Sequence, residues 1–330
     1  MNCYDCAMEL LLSHWSALEY WRLHGWKQLD VTQRQRRRVP PSDIPAAIAL
    51  KRLDIRGLTH PLEITLGTLR AGRKSSLVRF HVCSKALPEG SIIDVGEGLF
   101  VTSPEYCFFQ LANELPLAKL VQLGLELCGS YTLPANDTDR EGPELAKRGF
   151  RDHLALTSKE KLSSLLARTE GRFDQRYLSR ALRYIEDGSA SPMETILTIL
   201  LTLPYRYGGY GFPMPELNGT VKPGRTTKQS SSKKLFRCDL YWRELDLVVE
   251  YDSDSHHSSY EQIAQDAMKR NSLLAMDMTV ITVTRIQLRS TVEFERVARQ
   301  LAIHFDRRLR NDENPKFIKT RRHLRKLLKV

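Results

Sequence analysis

Apolar residues recur along this chain at two spacings, one helical and one alternating, and the switches between them outline its elements. From Met8 to Gly25, "MELLLSHWSALEYWRLHG", the apolar and aromatic positions follow a helical pattern that stops at a glycine, which predicts one helix with a glycine C-cap. Its Trp15, Tyr20 and Trp21 read as core or docking residues. The basic, proline-broken "QRQRRRVPPSDIP" that follows reads as an exposed loop. Between Leu62 and Thr102, "LEITLGT", "SLVRFHVCS" and "SIIDVGEGLFVTS" alternate and are parted by Gly, Pro and Ser, as expected of a small antiparallel β unit. Ser103 as N-cap and Pro104 at the first helical position then open a helix. Further helices fall in "LAKLVQLGLELCG", "SKEKLSSLLARTEG" and "FDQRYLSRALRYIEDG", with the polar loop "TLPANDTDREGP" between the first two. No repeat has a fixed period. The first half is thus predicted as a mixed α/β module over residues 1–188.

The second half opens with "SPMETILTILLTLP", a helix started by Ser and Pro and ended by Pro204. A Gly- and Pro-rich connector, "YRYGGYGFPMPELNG", leads to the low-complexity "KPGRTTKQSSSKK". Strands "LFRCDLYW" and "LDLVVEYD" come next, then a helix from Ser259, strand "MTVITVT" and a helix from Ser290. The order helix–β–β–β–α–β–α suits a mixed sheet flanked by helices, over residues 189–310. A basic tail, residues 311–330, carries Phe317, Leu324, Leu327 and Leu328 as a thin apolar stripe; it reads as a solvated end or as an arm that touches phosphate.

Composition narrows the class. With 330 residues, 42% hydrophobic and 27% charged, the chain has enough apolar surface for two cores. Its 50 Lys+Arg against 39 Asp+Glu give a net charge of +11, which draws polyanions, nucleic acid first among them. No apolar run is long enough to span a bilayer and no signal peptide is visible, so a cytoplasmic protein is expected. The six cysteines show no disulfide framework; Cys3 and Cys6 have zinc-like spacing but lack a second pair of ligands.

The candidate chemistry lies in "RCDLYWRELDLVVEYDSDSHH". Side chains alternate faces in a strand, so Asp239 shares a face with Arg237 and Tyr241, and Glu250 shares one with Asp246, Val248 and Asp252. A two-residue turn at Arg243 and Glu244 would pair Trp242 with Leu245 and Asp239 with Val248, making Glu250 the diagonal neighbour of Asp239. Like charges placed so on a half-buried sheet repel unless a cation joins them. Hard oxygen ligands suit Mg²⁺ or Mn²⁺, and in a basic protein the companion of that ion is a phosphodiester. Bland readings stand beside this one: Asp239 and Glu250 paired with basic residues, Asp252 and Asp254 solvating a loop. His256 and His257 follow closely enough for one to ligate or to move protons. Glu194 fits a capping box with Ser191 as well as it fits a catalytic role.

Those residues, with "METILTILLTLP" before them and "QDAMKRNSLLAMDMTVITVT" after, resemble the Vsr-like, very-short-patch-repair branch of the PD-(D/E)XK endonucleases. The resemblance implies a restriction-endonuclease-like fold and metal-dependent cleavage of DNA. It assigns catalytic roles to Glu194, Asp239, Glu250, Asp252, His256 and, with Asp266 one turn before it, Lys269; the metal falls to Asp239, Glu250 and Asp252. The sequence departs from the pattern at Ser253 and Asp277, where glycine is usual, and Asp252 stands in place of the superfamily's lysine. More weakly, "SHWSALEYWR", "VRFHVCSKALPEG" and "LFVTSPEYCFFQLANEL" resemble AbiEi-type regulators of toxin–antitoxin systems, without the winged helix often found at their start.

The expectation is therefore a DNA endonuclease in a defence or mobile-element setting, with RNA as another possible substrate. Homodimerisation or a defence-system partner protein is compatible with it. Lys233, Lys234, Arg237, Arg270, Arg321 and Arg322 are the expected phosphate contacts. The alternative is a DNA-binding regulator or antitoxin whose nuclease fold is silent.

Overall fold

The structure, a computed structural model, describes residues 9–26, 38–42, 57–68, 76–137, 139, 143–169, 171–222, 235–252, 260–309 and 314–330. It comprises two compact units, Met1–Arg183 and Tyr184–Val330, and both are mixed α/β. The segment after residue 310 belongs to the second of them.

In the first unit the opening apolar run splits. Leu10–Leu12 form strand β1, and helix α1 starts only at His14 and runs to His24. Three consecutive buried leucines suit a strand covered on both faces, which helical periodicity alone cannot tell from the start of a helix. Strands β2 (Leu62–Leu66), β3 (Val78–Val82), β4 (Ile92–Gly96) and β5 (Leu99–Thr102) complete a sheet in the order β3-β2-β1-β5-β4. The antiparallel expectation fails because β1 inserts at the centre. It lies antiparallel to β2 but parallel to β5, and β2 runs parallel to β3.

Helices α2 (Pro104–Leu111) and α3 (Leu117–Leu127) follow, then the short pair β6 (Tyr131–Thr132) and β7 (Arg151–Asp152) with α4 (Pro143–Arg148) between them, α5 (Lys159–Ala167) and α6 (Gln175–Leu182). Ser103 caps α2 as expected, its hydroxyl accepting the Tyr106 amide at 3.2 Å. Trp21 fixes α1 against the sheet by donating its indole N–H to the Thr102 carbonyl at 2.8 Å.

The second unit contains α7 (Pro192–Thr202), β8 (Glu216–Val221), β9 (Phe236–Trp242), β10 (Leu247–Asp252), α8 (Tyr260–Leu274), β11 (Thr279–Thr284), α9 (Arg285–Arg289), α10 (Thr291–His304) and α11 (Pro315–Leu328). Strand order is β11-β10-β9-β8; β8, β9 and β10 are antiparallel in turn, and β11 joins β10 in parallel after the α8 crossover. Strand β8 arises within and just after the stretch that reads as a Gly/Pro connector.

The basic tail is a helix, and part of it is core. Leu324 and Leu328 are buried, and so are Arg321 and Arg325, each only 5% exposed. The Arg321 guanidinium lies 4.4 Å over the Tyr210 ring and 4.3 Å over Phe317, and pairs with Glu295 at 3.3 Å. The turn at Gly208 allows this packing: its φ is +92°, and a Cβ there would sit 2.7 Å from the Thr320 carbonyl oxygen. Among the described residues, no helix is long and apolar enough to cross a membrane.

Candidate active site

Strands β9 and β10 are joined by four residues, Arg243–Asp246, and not by two. Arg243–Leu245 make a 3₁₀ turn, and Asp246 closes it in the left-handed region at φ 44° and ψ 38°. The longer turn moves the register, so that Trp242 pairs with Leu247, Tyr241 with Val248 and Leu240 with Val249. One step further the same register sets Asp239 across from Glu250, where the two-residue turn would have made them diagonal.

The ladder gives way there. The Tyr251 amide donates to Asp239 Oδ2 at 2.8 Å, a side chain taking the place of a backbone acceptor. Beyond that point β9 is held by β8, down to Phe236–Val221, and β10 by β11, up to Asp252–Thr284. The sheet thus parts between its two middle strands, with a carboxylate on each lip.

Neither carboxylate is at ease. Burial pushes the Asp239 carboxyl up to about 8, with further upward pressure from Glu250 and then Glu194. Burial also raises Glu250, although Lys269 works against it with Nζ 2.7 Å from Oε2. Glu250 Oε1 is sealed from solvent and has no hydrogen-bond partner among the described residues. Burial, then Glu250, drives the neighbouring Cys238 thiol up to about 12, so it is a neutral wall of the notch. Lys269 itself stays charged: burial disfavours its ammonium, but Glu250 outweighs that and raises it. Its partner is Glu250 across the notch, Nζ to Oε2 at 2.7 Å.

Glu194 stands at the start of α7. Ser191 accepts the Glu194 amide at 3.2 Å, which is half of a capping box; the other half is absent. Glu194 Oε2 accepts from the Ala190 amide at 3.0 Å and from Asn218 Nδ2 at 2.7 Å. Asn218, a residue the sequence reading missed, also donates to the Gly188 carbonyl at 2.9 Å, from a backbone at φ 51°. A Cβ on Gly188, itself at φ +97°, would meet the Leu217 carbonyl oxygen at 2.8 Å, so glycine lets this corner close. "NG" after a Pro-rich stretch is the signal that could have found it.

The other expected residues are distributed as follows. Asp252 ends β10, exposed, in register with Thr284 and without a hydrogen bond to Asp239 or Glu250 among the described residues. Arg237, Arg270 and Arg322 are exposed; Arg321 is a correction, because its burial removes it from the surface where phosphate would be met. Asp277 holds φ 59°, the conformation that explains why glycine would also suit that position. His256, His257, Ser253, Lys233, Lys234, Cys3 and Cys6 lie outside the described residues.

The notch fits a hard divalent cation in one specific respect. Two desolvated carboxylates and an orphaned oxygen suit an ion that takes one or two carboxylates and keeps water in its remaining positions, as Mg²⁺ does. A compact all-protein cage is not built here. Among the described residues, the set that brings three ligand atoms within 4.8 Å of one another is His14, Glu63 and His81 in the first unit. No known protein family, no curated protein and no solved structure matches this chain.

Proposed function

We propose that the protein is a metal-dependent endonuclease that hydrolyses phosphodiester bonds of DNA at the notch between β9 and β10. The observation that carries this reading is the pair Asp239 and Glu250, on strands that part beside them, with Glu250 Oε1 left without a hydrogen-bond partner among the described residues. Asp239 and Glu250 would hold Mg²⁺ or Mn²⁺, which when bound supplies charge neutralisation and a water made more acidic. Glu194, fixed by Asn218 and Ala190, adds negative field at Asp239 and so strengthens the demand for a cation.

Lys269 keeps its positive charge beside Glu250 and offers it to the anionic oxygens of a phosphate as charge builds on them. Asp252 at the strand end and His256 in the following loop complete the catalytic set by resemblance. The net charge of +11 brings the polyanion to the protein, with Arg237, Arg270 and Arg322 as exposed contacts. The first unit would position or regulate the nuclease in the manner of an AbiEi-like module, in a defence or mobile-element setting and inside the cytoplasm.

The test is cleavage of supercoiled plasmid, single-stranded DNA and RNA in Mg²⁺, Mn²⁺ or EDTA by the parent and by Glu250→Ala. We expect metal-dependent nicking that drops on the order of a hundredfold or more in the variant, since a lost metal ligand removes several kcal/mol of stabilisation. Cleavage of RNA alone would move the substrate class; cleavage unaffected by the substitution would overturn the site.

A second reading has one observation in its favour. The Lys269 ammonium, 2.7 Å from Glu250, already compensates one of the two carboxylates. On that reading the protein is a DNA-binding regulator with a silent nuclease fold, and it binds DNA equally well in EDTA and Mg²⁺ without cutting it.

A further inference from the structure

Two histidines of the first unit are arranged in a way that packing does not explain. The rings of His14 and His81 are stacked at 3.6 Å between centroids and 17° between planes. His81 Nε2 is closed off from solvent and has no hydrogen-bond partner among the described residues; Glu63 Oε2 lies 3.5 Å from it. An apolar ring pair would fill this space without leaving a buried ring nitrogen unmatched.

The fold brings these three together from separate elements. Parallel pairing of β2 and β3 sets Glu63 beside Arg79 and Thr65 beside His81, so all four share one face of the sheet. His14 is the first residue of α1 and holds φ 51°, a conformation that a residue other than glycine adopts only when its surroundings impose it. Those surroundings are visible: its amide donates to Gln110 Oε1 at 3.2 Å, and its carbonyl accepts the Cys107 thiol at 3.2 Å. His14 Nδ1 sits 3.1 Å from the Ser13 hydroxyl, which fixes the ring and leaves Nε2 as its ligand atom.

We propose that His14, His81 and Glu63 bind one divalent transition-metal ion of the zinc class, with an open coordination position toward a cleft. Two imidazoles and a carboxylate are a donor set for Zn²⁺ and its neighbours, not for the all-oxygen preference of Mg²⁺. The three ligand atoms lie within 4.8 Å of one another. A tetrahedral ion with bonds of about 2.1 Å sets its ligands about 3.4 Å apart, so closure needs a shift of up to about 1.4 Å at the widest pair and a turn of the two rings out of their stack, because imidazole lone pairs lie in the ring planes. Glu63 Oε1 is taken by Arg79 at 2.9 Å, which orients the carboxylate and leaves Oε2 on the side of the imidazoles.

The adjoining cleft, of about 360 Å³, is lined by Tyr106, Gln110, Asn113 and Arg172 as well as the two histidines. Three protein ligands beside a cleft of mixed polar and apolar lining match a site that keeps a position for water or a ligand; a closed structural site would have four.

The experiment uses the full chain carrying Cys3→Ser and Cys6→Ser, so that terminal thiols do not contribute. It is stripped with chelator, reloaded with Zn²⁺ or Co²⁺, desalted, and its metal counted. We expect one equivalent in this parent and in Glu250→Ala. In His81→Phe, which keeps the ring stack, and in His14→Asn, which tolerates positive φ, binding should weaken by about a hundredfold and the Co²⁺ absorption should vanish. Circular dichroism identifies folded variants, and Glu63→Gln replaces any that fails. Equal metal in the parent and the folded variants, metal lost with Glu250→Ala, or none retained by the parent would each overturn the proposal.

Discussion

Each unit places a carboxylate on a covered or partly covered sheet position beside a basic side chain, and the two outcomes are opposite. Glu63 on β2 is held below the usual range: burial pushes it up, but His81, the Trp15 amide and the histidine pair together outweigh that. Asp239 and Glu250, on β9 and β10, are held above it. Burial opposes ionisation in all three, so burial does not decide the sign. The partners do: Glu63 has donors on both oxygens, whereas Asp239 faces two further carboxylates and Glu250 Oε1 meets no donor stronger than the Cys238 thiol among the described residues. A carboxylate with donors on both oxygens stays ionised without an ion; an uncompensated pair calls for a counter-ion.

Removing the compensation in each unit tests that difference. Lys269→Ala leaves Glu250 buried without its ammonium, and should destabilise the metal-free second unit by about 2–3 kcal/mol near neutral pH, softened from the buried-pair range because Glu250 can take up a proton. Denaturant unfolding followed by hydrogen exchange reads the second unit separately. Saturating Mg²⁺ should recover part of the loss.

A smaller effect is expected from Asn218→Ala, about 1–2 kcal/mol, because Glu194 and the Gly188 carbonyl both lose a donor. Its signature is loss of amide protection in the first turn of α7. If protection there is unchanged, Asn218 does not hold Glu194. Arg79→Ala should cost under about 1 kcal/mol, since Arg79 is 60% exposed and solvent screens its pair with Glu63.

A pH scan in chelator should separate the units by sign. Asp239 binds its proton more tightly folded than unfolded, so its contribution is complete below about 4 and is lost as pH rises toward about 8. His14 behaves in reverse: held down from 6.5 to about 4, it contributes stability at neutral pH that fades as pH falls through that interval. Glu63 adds to the same acid-side loss. Asp239→Asn should flatten the alkaline slope of the second unit and leave the acid slope of the first unchanged; parallel slopes in both units would erase the distinction.

Much of the second unit was legible in the order of its periodic segments, because a helix, a hairpin and a crossover each leave a local pattern. The shared face of Asp239 and Glu250 followed from alternation alone. Their register did not, since it depends on whether Asp246 turns left-handed, a choice the sequence leaves between two- and four-residue turns. Leu10–Leu12 were misread because a fully buried strand has no period to display. Arg321 looked like surface for lack of any local sign that Tyr210, a hundred or so positions earlier, would sit beneath it. The pairing of His14 with His81 was invisible for the same reason: sheet order, not spacing, brings them together.

The Asn218–Gly219 step has a consequence for how the protein ages. Asn followed by Gly is the dipeptide whose chain nitrogen most readily attacks the side-chain amide, and hydrolysis then leaves a carboxylate. At this position the change would exchange a donor on Glu194 for a like charge against it, next to the notch that already carries too many. Stored protein should therefore lose order at α7 before any residue of the notch is chemically altered, and peptide mapping across residues 216–221 would date the loss.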